Sequence, residues 1–278
     1  MISKFLPNPC RQNALKGISI LMYHQVGEFA PMKEHRASYC DHRQFATQMA
    51  FLKGFGYRVL TLDQVLACVR AGQPVPPRAV ALTFDDGYAS FLSYALPVLR
   101  RHGFPATVYA ISGRIGSRAL WLAKDRGRQI PELMSAVQLR EIHALGMTIG
   151  SHTVSHPKLA ALGPERRRRE LADSKAALED LLGEQVGHLC YPYGSFDLDT
   201  VRAAAESGYR SATTCLRGLA GPGDHPLVLP RKAISFGDNL MGYLWKLVVK
   251  NAPKRQLSEW RRRLAAEPLR ENSQVREP

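Results

Sequence analysis

Short apolar runs alternate with helix-like segments along most of this chain, and this alternation limits its fold more than any other feature. The pattern is typical of a parallel sheet whose strands are joined by helices. In such folds ligands gather beyond the carboxyl ends of the strands. The alternation alone does not separate a closed barrel from an open doubly wound sheet. The predicted strands are 18–23, 79–84, 106–111, 147–150, 188–191 and 211–214, and the predicted helices are 90–102, 136–145, 164–182 and 197–207.

Two adjacent carboxylates, Asp85 and Asp86, directly follow the predicted strand 79–84. Side chains alternate along a strand, so neighbours point to opposite sides unless the chain turns. Gly87 permits a sharp turn, which would let both carboxylates approach one point. We interpret one of them as a metal ligand and the other as a free base. An Asp-Gly pair after a strand is also an ordinary turn signal.

Two histidines, His152 and His156, follow another predicted strand. Residues four apart share a face on a helical turn, so both imidazoles could reach one ion. By itself the pair could equally be two solvated loop histidines. Together with the carboxylates it predicts one divalent metal site suited to metal-assisted hydrolysis. Carboxylate and neutral imidazole favour Zn²⁺, and Co²⁺, Ni²⁺ or Fe²⁺ would also suit the set.

With both clusters in view, the chain resembles the polysaccharide deacetylases of carbohydrate esterase family 4, the NodB-homology enzymes. Three segments carry the resemblance: Thr83-Phe84-Asp85-Asp86-Gly87, Ser151-His152-Thr153-Val154-Ser155-His156 and, in part, Cys190-Tyr191-Pro192-Tyr193-Gly194. The similarity extends from about residue 18 to residue 234. It implies a distorted (β/α)7 barrel of the NodB-homology type.

The resemblance also implies a role for each site residue. Asp86, His152 and His156 would bind the metal, and Asp85 would be the general base. The backbone N–H of Tyr193 would stabilise the oxyanion. The implied substrate is an N-acetylated hexosamine in a polysaccharide or a lipid-linked glycan precursor, with release of acetate during exopolysaccharide synthesis.

Two departures from the common family pattern place the chain in a particular branch. Cys190 stands where an Arg usually orients the catalytic Asp, and residues 228–234 lack the late catalytic His. Both departures occur in the branch that resembles biofilm poly-N-acetylglucosamine deacetylases, where an early His supplies the acid. This implies that His24 protonates the leaving amine; alternatively, His24 only caps the first strand. We hypothesise that Arg231 replaces the missing Arg.

The C-terminal region combines apolar and basic residues in a chain of net charge +14. Residues 246–278 hold nine Lys/Arg and four Asp/Glu, a net charge of 9 − 4 = +5. The apolar run at 240–249 is too short to span a bilayer. It could lie on an anionic membrane surface or pack on the barrel. Nucleic-acid binding is not expected, because no such motif occurs and the basic residues are widely spread.

We predict an N-terminal extension at 1–16, a deacetylase domain at 17–237, and a basic helix with a tail at 238–278 that is disordered beyond residue 268. The N-terminus lacks an apolar signal-peptide core, and five cysteines without close spacing favour reduced thiols. The expected location is therefore the cytoplasm or its membrane face. Two other functions remain open. One is an amidase acting on a non-sugar amide. The other is a carbohydrate-binding pseudo-enzyme, which the missing Arg and His support and the intact metal set opposes.

Overall fold

The computed structural model describes residues 17–70, 73–124 and 130–266 of the chain. The predicted extension at 1–16 and the predicted disorder beyond residue 268 lie outside these residues. The described strands, in chain order, are β1 Ser19–Tyr23, β2 Gln25–Gly27, β3 Tyr39–Asp41, β4 Arg58–Leu60, β5 Ala79–Phe84, β6 Thr107–Ala110, β7 Thr148–Ser151, β8 His188–Cys190, β9 Ser211–Thr213 and β10 Lys232–Ala233. The described helices are α1 His42–Gly54, α2 Leu62–Arg70, α3 Leu96–His102, α4 Ala136–Ala144, α5 Pro164–Leu182, α6 Leu198–Glu206, α7 Leu240–Leu244 and α8 Arg255–Ala266.

All pairings in the main sheet are parallel, so the carboxyl ends of its strands lie at one edge. The path runs β10-β1-β5-β6-β7-β8-β9, and β4 pairs with β5 beside β6. The segment after residue 228 contacts both ends of this path: Leu229 bridges to Thr213 of β9, and β10 pairs with β1. The sheet therefore curls into a distorted barrel of seven strands along its path, as the resemblance implied.

Alternating side chains of the strands build two apolar layers. Leu21 joins the cluster between the sheet and α1, with Phe45 and Met49 of that helix. Its neighbour Ile20 faces the other way, into a cluster with Tyr109. Burying each such side chain stabilises the fold by roughly 1.5–3 kcal/mol. The two layers fix the strand register and hence the positions of the residues that follow each strand.

The predicted elements agree with the structure to within about one or two residues, with one exception. The predicted helix 90–102 is a π-helical turn at Phe91–Ala95 followed by α3. The predicted helix 164–182 corresponds to α5, which begins with Pro164 in its first turn and ends at Gly183 in a left-handed conformation (φ 70°). Ser135 and Gln138 form a capping box at the start of α4. The small β2–β3 sheet, β10 and α2 were not predicted from the sequence. Three-residue strands such as β2 and β3 are too short to show a periodicity.

Candidate active site

The two acidic residues leave β5 through a left-handed turn. Asp85 N–H donates a hydrogen bond to Tyr23 O at 2.9 Å, which continues the β1 pairing by one residue. Asp86 then has φ 73° and Gly87 φ 69°, both in the left-handed region. A non-glycine residue in this region is uncommon and often marks a functional site. The turn ends the strand and sets both carboxylates at the carboxyl edge of the sheet.

The histidine loop after β7 is not helical, so the predicted helical turn is wrong. The segment from His152 to His156 is an irregular loop in which Thr153 (φ 69°) and His156 (φ 62°) are left-handed. The Thr153 hydroxyl accepts a hydrogen bond from His156 N–H at 3.1 Å. The two imidazoles converge because the loop folds back on itself, and not because of helical periodicity.

Asp86, His152 and His156 converge on one point, as predicted. Asp86 Oδ1 lies 3.3 Å from His152 Nε2 and 3.3 Å from His156 Nε2. All three side chains are buried. Two ligands bound to one Zn²⁺ at tetrahedral angles would be about 3.4 Å apart, given Zn–N and Zn–O bonds of about 2.0–2.2 Å. The observed spacing is therefore that of ligands around one cation.

The hydrogen bonding of these atoms also fits a metal site. Asp86 Oδ1 is buried and has no hydrogen-bond partner among the described residues. Such an orphaned oxygen is costly unless a cation satisfies it. His152 Nδ1 lies 2.8 Å from Cys190 O, so it donates its proton there, and in the neutral ring Nε2 is the nitrogen available to a metal. Fixing the tautomer of a ligand through its second nitrogen is typical of metal-binding histidines.

A second group of potential ligands, Asp85, His152 and Cys190, lies beside the first. Arg231 already occupies it: Nη1 donates to Asp85 Oδ1 at 2.6 Å, and Nη2 donates to Asp85 Oδ2 at 2.8 Å. Arg231 Nη2 also contacts Cys190 Sγ at 3.0 Å. A guanidinium in this place repels a second cation. The first group is therefore the better metal candidate.

Both carboxylates of the site favour the ionised form, but different neighbours are the cause. Burial raises the pKa of Asp85, but the Arg231 guanidinium outweighs it, and the pKa is lowered from its usual value. Burial likewise opposes ionisation of Asp86, yet its two imidazole neighbours hold its pKa well below the usual range. Burial lowers the pKa of His156, which favours the neutral imidazole that a metal requires. Arg231 neutralises the charge of Asp85, and Asp86 remains as the anionic member of the candidate metal set.

His24 and Tyr193 each lie beside one of these groups. His24 follows β1, and its Nε2 is 3.9 Å from Asp85 Oδ2. Its Nδ1 is buried and has no hydrogen-bond partner among the described residues. Tyr193 lies in a short turn after β8 with φ 58°. Its ring is 55% exposed and 4.5 Å from that of His156. The predicted site residues thus all meet at one edge of the barrel.

Sequence reasoning missed Glu170, which holds the histidine loop in place. This buried residue of α5 accepts hydrogen bonds at Oε2 from Val154 N–H (3.0 Å) and Ser155 N–H (2.9 Å). Its Oε1 accepts one from Ser155 Oγ. Glu170 lies in a highly charged stretch of the sequence, so a glutamate there does not stand out from its charged neighbours. The available signal was its position, four residues before the buried Ser174 on the packed face of α5.

Comparison with known proteins agrees with the fold and the motifs. The family model for polysaccharide deacetylase matches residues 72–212, about half of the chain. The chain belongs to the polysaccharide deacetylase family. The matched region contains Asp85, Asp86, His152, His156 and Tyr193, and Arg231 lies beyond it.

Two relatives show how far the sequence similarity extends. YxkH of Bacillus subtilis (strain 168) is 28% identical over 220 residues, which are 79% of this chain and 72% of that protein. The poly-beta-1,6-N-acetyl-D-glucosamine N-deacetylase of Staphylococcus aureus (strain MRSA252) is 24% identical over 234 residues, 77% of this chain and 78% of that one. The sequence similarity to each relative therefore covers more than three quarters of this chain.

A solved structure supports the barrel assignment. The Streptococcus pyogenes deacetylase PplD in complex with acetate superimposes with a TM-score of 0.71 at 26% identity. The match covers 83% of this chain and 98% of that one. The fold is the distorted barrel of the NodB-homology type.

Proposed function

We propose that this chain is a metal-dependent N-deacetylase that hydrolyses the acetamide of an N-acetylated hexosamine and releases acetate. The proposal rests on the convergence of Asp86, His152 and His156 beside an ionised Asp85. A cation bound there, most simply Zn²⁺, would lower the pKa of water and polarise the acetamide carbonyl. The roles of the individual residues follow from their positions.

Asp85 is suited to the role of general base. Arg231 holds its carboxylate through two hydrogen bonds, which fixes its orientation and keeps it ionised. Asp85 would accept the proton of the attacking water. The bidentate contact is the one that an orienting Arg from the third motif would make, so Arg231 compensates for Cys190 at that position.

His24 is suited to protonating the leaving amine, and the Tyr193 backbone to stabilising the oxyanion intermediate. His24 is partly exposed at the site, and its Nε2 faces the carboxylate that would receive the proton of water. It would donate a proton to the leaving amine. The Tyr193 backbone N–H would donate to the developing oxyanion, a contribution of roughly 3 kcal/mol in comparable enzymes.

The substrate proposal draws on the relatives. The Staphylococcus aureus relative is named for poly-beta-1,6-N-acetyl-D-glucosamine, and PplD was solved with acetate, the expected product. We infer a polymer or lipid-linked precursor of N-acetylglucosamine type, with a role in exopolysaccharide synthesis in the cytoplasm or at its membrane face.

The test combines metal analysis with acetate release from N-acetylglucosamine oligomers. We expect about one transition metal per wild-type chain. Asp85→Asn should keep the metal and lose about 10²–10⁴-fold in kcat. His24→Ala should keep the metal and lose turnover, whereas His156→Ala should lose the metal. Bound metal with no acetate release from any acetylated glycan would refute the proposal and favour a carbohydrate-binding pseudo-enzyme. Release from a non-sugar amide alone would favour the amidase alternative.

A further inference from the structure

The apolar run at the C-terminus divides between the barrel and the solvent. Tyr243 and Leu247 are fully buried and belong to the cluster that packs under the sheet. Four side chains of the same run, 240–249, are exposed, at the spacing of one helical stripe: Met241 (79%), Trp245 (54%), Val248 (41%) and Val249 (52%). We call these four residues the C-terminal apolar stripe. Packing on the barrel accounts for only one face of this segment.

The stripe is unusual for the surface of this protein. Eight large apolar side chains are exposed in the described part of the chain, and half of them belong to the stripe. Contiguous exposed apolar residues mark interaction sites more often than isolated ones do. In the part of the chain that the structure describes, no helix is long and apolar enough to cross a bilayer.

The residues that follow the stripe are basic. Residues 246–266 hold seven Lys/Arg and one Glu, a net charge of 7 − 1 = +6. Three of these cations are used within the fold: Lys246 pairs with Asp238, Arg255 with Glu259 and Arg261 with Asp224. No described acidic group pairs with Lys250, which directly follows Val249, or with Lys254 four positions later. The stripe is thus joined to uncompensated positive charge.

We propose that the C-terminal apolar stripe and Lys250 and Lys254 form a docking surface for anionic phospholipid membranes. Apolar side chains would enter the interface, where Trp is favoured, and each lysine would meet acidic head groups. A second copy of the chain is a poorer occupant. In a symmetric dimer this surface would face itself, and the lysines would repel one another. A nucleic acid could pair with the lysines but would leave Met241, Val248 and Val249 unused.

The position of α7 places one end of the stripe near the active site. This helix follows β10 after a short turn at residues 234–239. Its first turn, with Met241, therefore begins at the carboxyl edge of the sheet, the edge that carries Asp86. From there the segment runs to the other end of the barrel, where Asn251 and Ser19 at the start of β1 both contact Lys232. A membrane held by the stripe would therefore lie along the side of the barrel, with Met241 nearest the active site. The docking itself does not depend on the proposed deacetylase activity.

The test is flotation of the full-length protein with vesicles of phosphatidylcholine, with and without phosphatidylglycerol. Wild type should bind the anionic vesicles and show a blue-shifted Trp emission that brominated lipids quench. Trp245→Gln with Val249→Gln should reduce the partition coefficient at least tenfold and abolish most of the quenching. Lys250→Gln with Lys254→Gln should reduce the partition coefficient about fivefold per lysine. Added salt should also reduce the partition coefficient of wild type.

Matched controls separate the surface from general changes in charge or apolarity. Val137→Gln removes a 67% exposed apolar side chain from α4. Arg168→Gln with Arg169→Gln removes two exposed charges from α5. Both controls should bind vesicles like wild type, and all variants should keep wild-type acetate release from a water-soluble oligomer. Equal loss in the controls, equal binding to neutral vesicles, or a dimer that Trp245→Gln dissociates without any vesicle binding would each overturn the proposal.

Discussion

Arg231 and Asp85 form a buried ion pair in which both carboxylate oxygens receive a hydrogen bond. Such a pair is a weak source of net stability, because desolvation offsets its attraction. Its value lies in fixing the charge and direction of the carboxylate. Arg231 also donates to the Thr83 hydroxyl at 3.1 Å, so the guanidinium connects β5 with the chain before β10.

We predict that Arg231→Gln moves the acid limb of the kcat/KM profile to higher pH. A base with a lowered pKa is active above that pKa and is lost only as the pH falls through it. Without the guanidinium, burial dominates and the pKa of Asp85 rises, so activity disappears at a higher pH. Arg231→Lys, which keeps the charge but loses the bidentate contact, should give an intermediate profile. An unchanged acid limb in Arg231→Gln would mean that the ionisation of Asp85 does not set the pH dependence of kcat/KM.

Glu170 acts one step away from the proposed metal ligands, through the backbone of Val154 and Ser155. We predict that Glu170→Gln weakens metal binding by about 10–100-fold, as changes behind metal ligands commonly do. The reason is that a neutral amide accepts these hydrogen bonds less strongly than a carboxylate. Metal titration by calorimetry would measure the change. Glu165→Gln is a suitable control, since Glu165 is exposed and pairs only with Arg168 and Arg169. If Glu170→Gln binds the metal with wild-type affinity, Glu170 does not position the metal site.

At the scale of elements, the loop after β6 supports the loop that carries the histidines. Ser112 N–H donates to Thr153 O, and Gly113 N–H donates to Val154 O, both at 3.0 Å. A Cβ on Gly113 would lie only 2.6 Å from Val154 O. The two loops approach each other this closely only because residue 113 has no side chain.

We predict that Gly113→Ala lowers both metal affinity and the free energy of unfolding, the latter by about 1–3 kcal/mol, as overpacking typically does. The added methyl group must push the histidine loop away from the loop after β6. Gly54→Ala is the control, because a Cβ there meets nothing within 4 Å. Chemical denaturation and metal titration of the two variants would test this, and equal stability would show that the loops can separate freely.

At the scale of the whole molecule, Lys232 joins the C-terminal segment to the barrel. This buried lysine of β10 donates to Ser19 Oγ at 2.9 Å and to Asn251 Oδ1 at 2.6 Å. Burial, with a smaller effect of the Arg217 charge, lowers its pKa to about 8. An unfolded lysine titrates at about 10.4. Between these values the unfolded chain binds more protons than the folded one, so the lysine adds stability as the pH rises.

We predict that the free energy of unfolding of wild type, relative to Lys232→Met, rises by up to roughly 3 kcal/mol between about pH 8 and pH 10.4. Below pH 8 the difference should be flat, because the lysine is protonated in both states. Urea denaturation across this pH range would measure it. A difference that does not change with pH would mean that Lys232 titrates normally in the folded protein.

The sequence by itself determined the order of strands and helices and the edge at which Asp85, Asp86, His152 and His156 lie. This was possible because side chains that follow parallel strands must share one edge, whatever the rest of the packing. Only the tertiary structure decided that Arg231, 146 positions after Asp85, reaches that carboxylate, and that Glu170 holds the histidine loop. The tertiary structure also shows left-handed residues in the histidine loop where a helical turn was expected. It shows that part of the run at 240–249 is buried in the core and part is exposed. These outcomes depend on contacts between residues far apart in the chain, which leave no local periodicity to read.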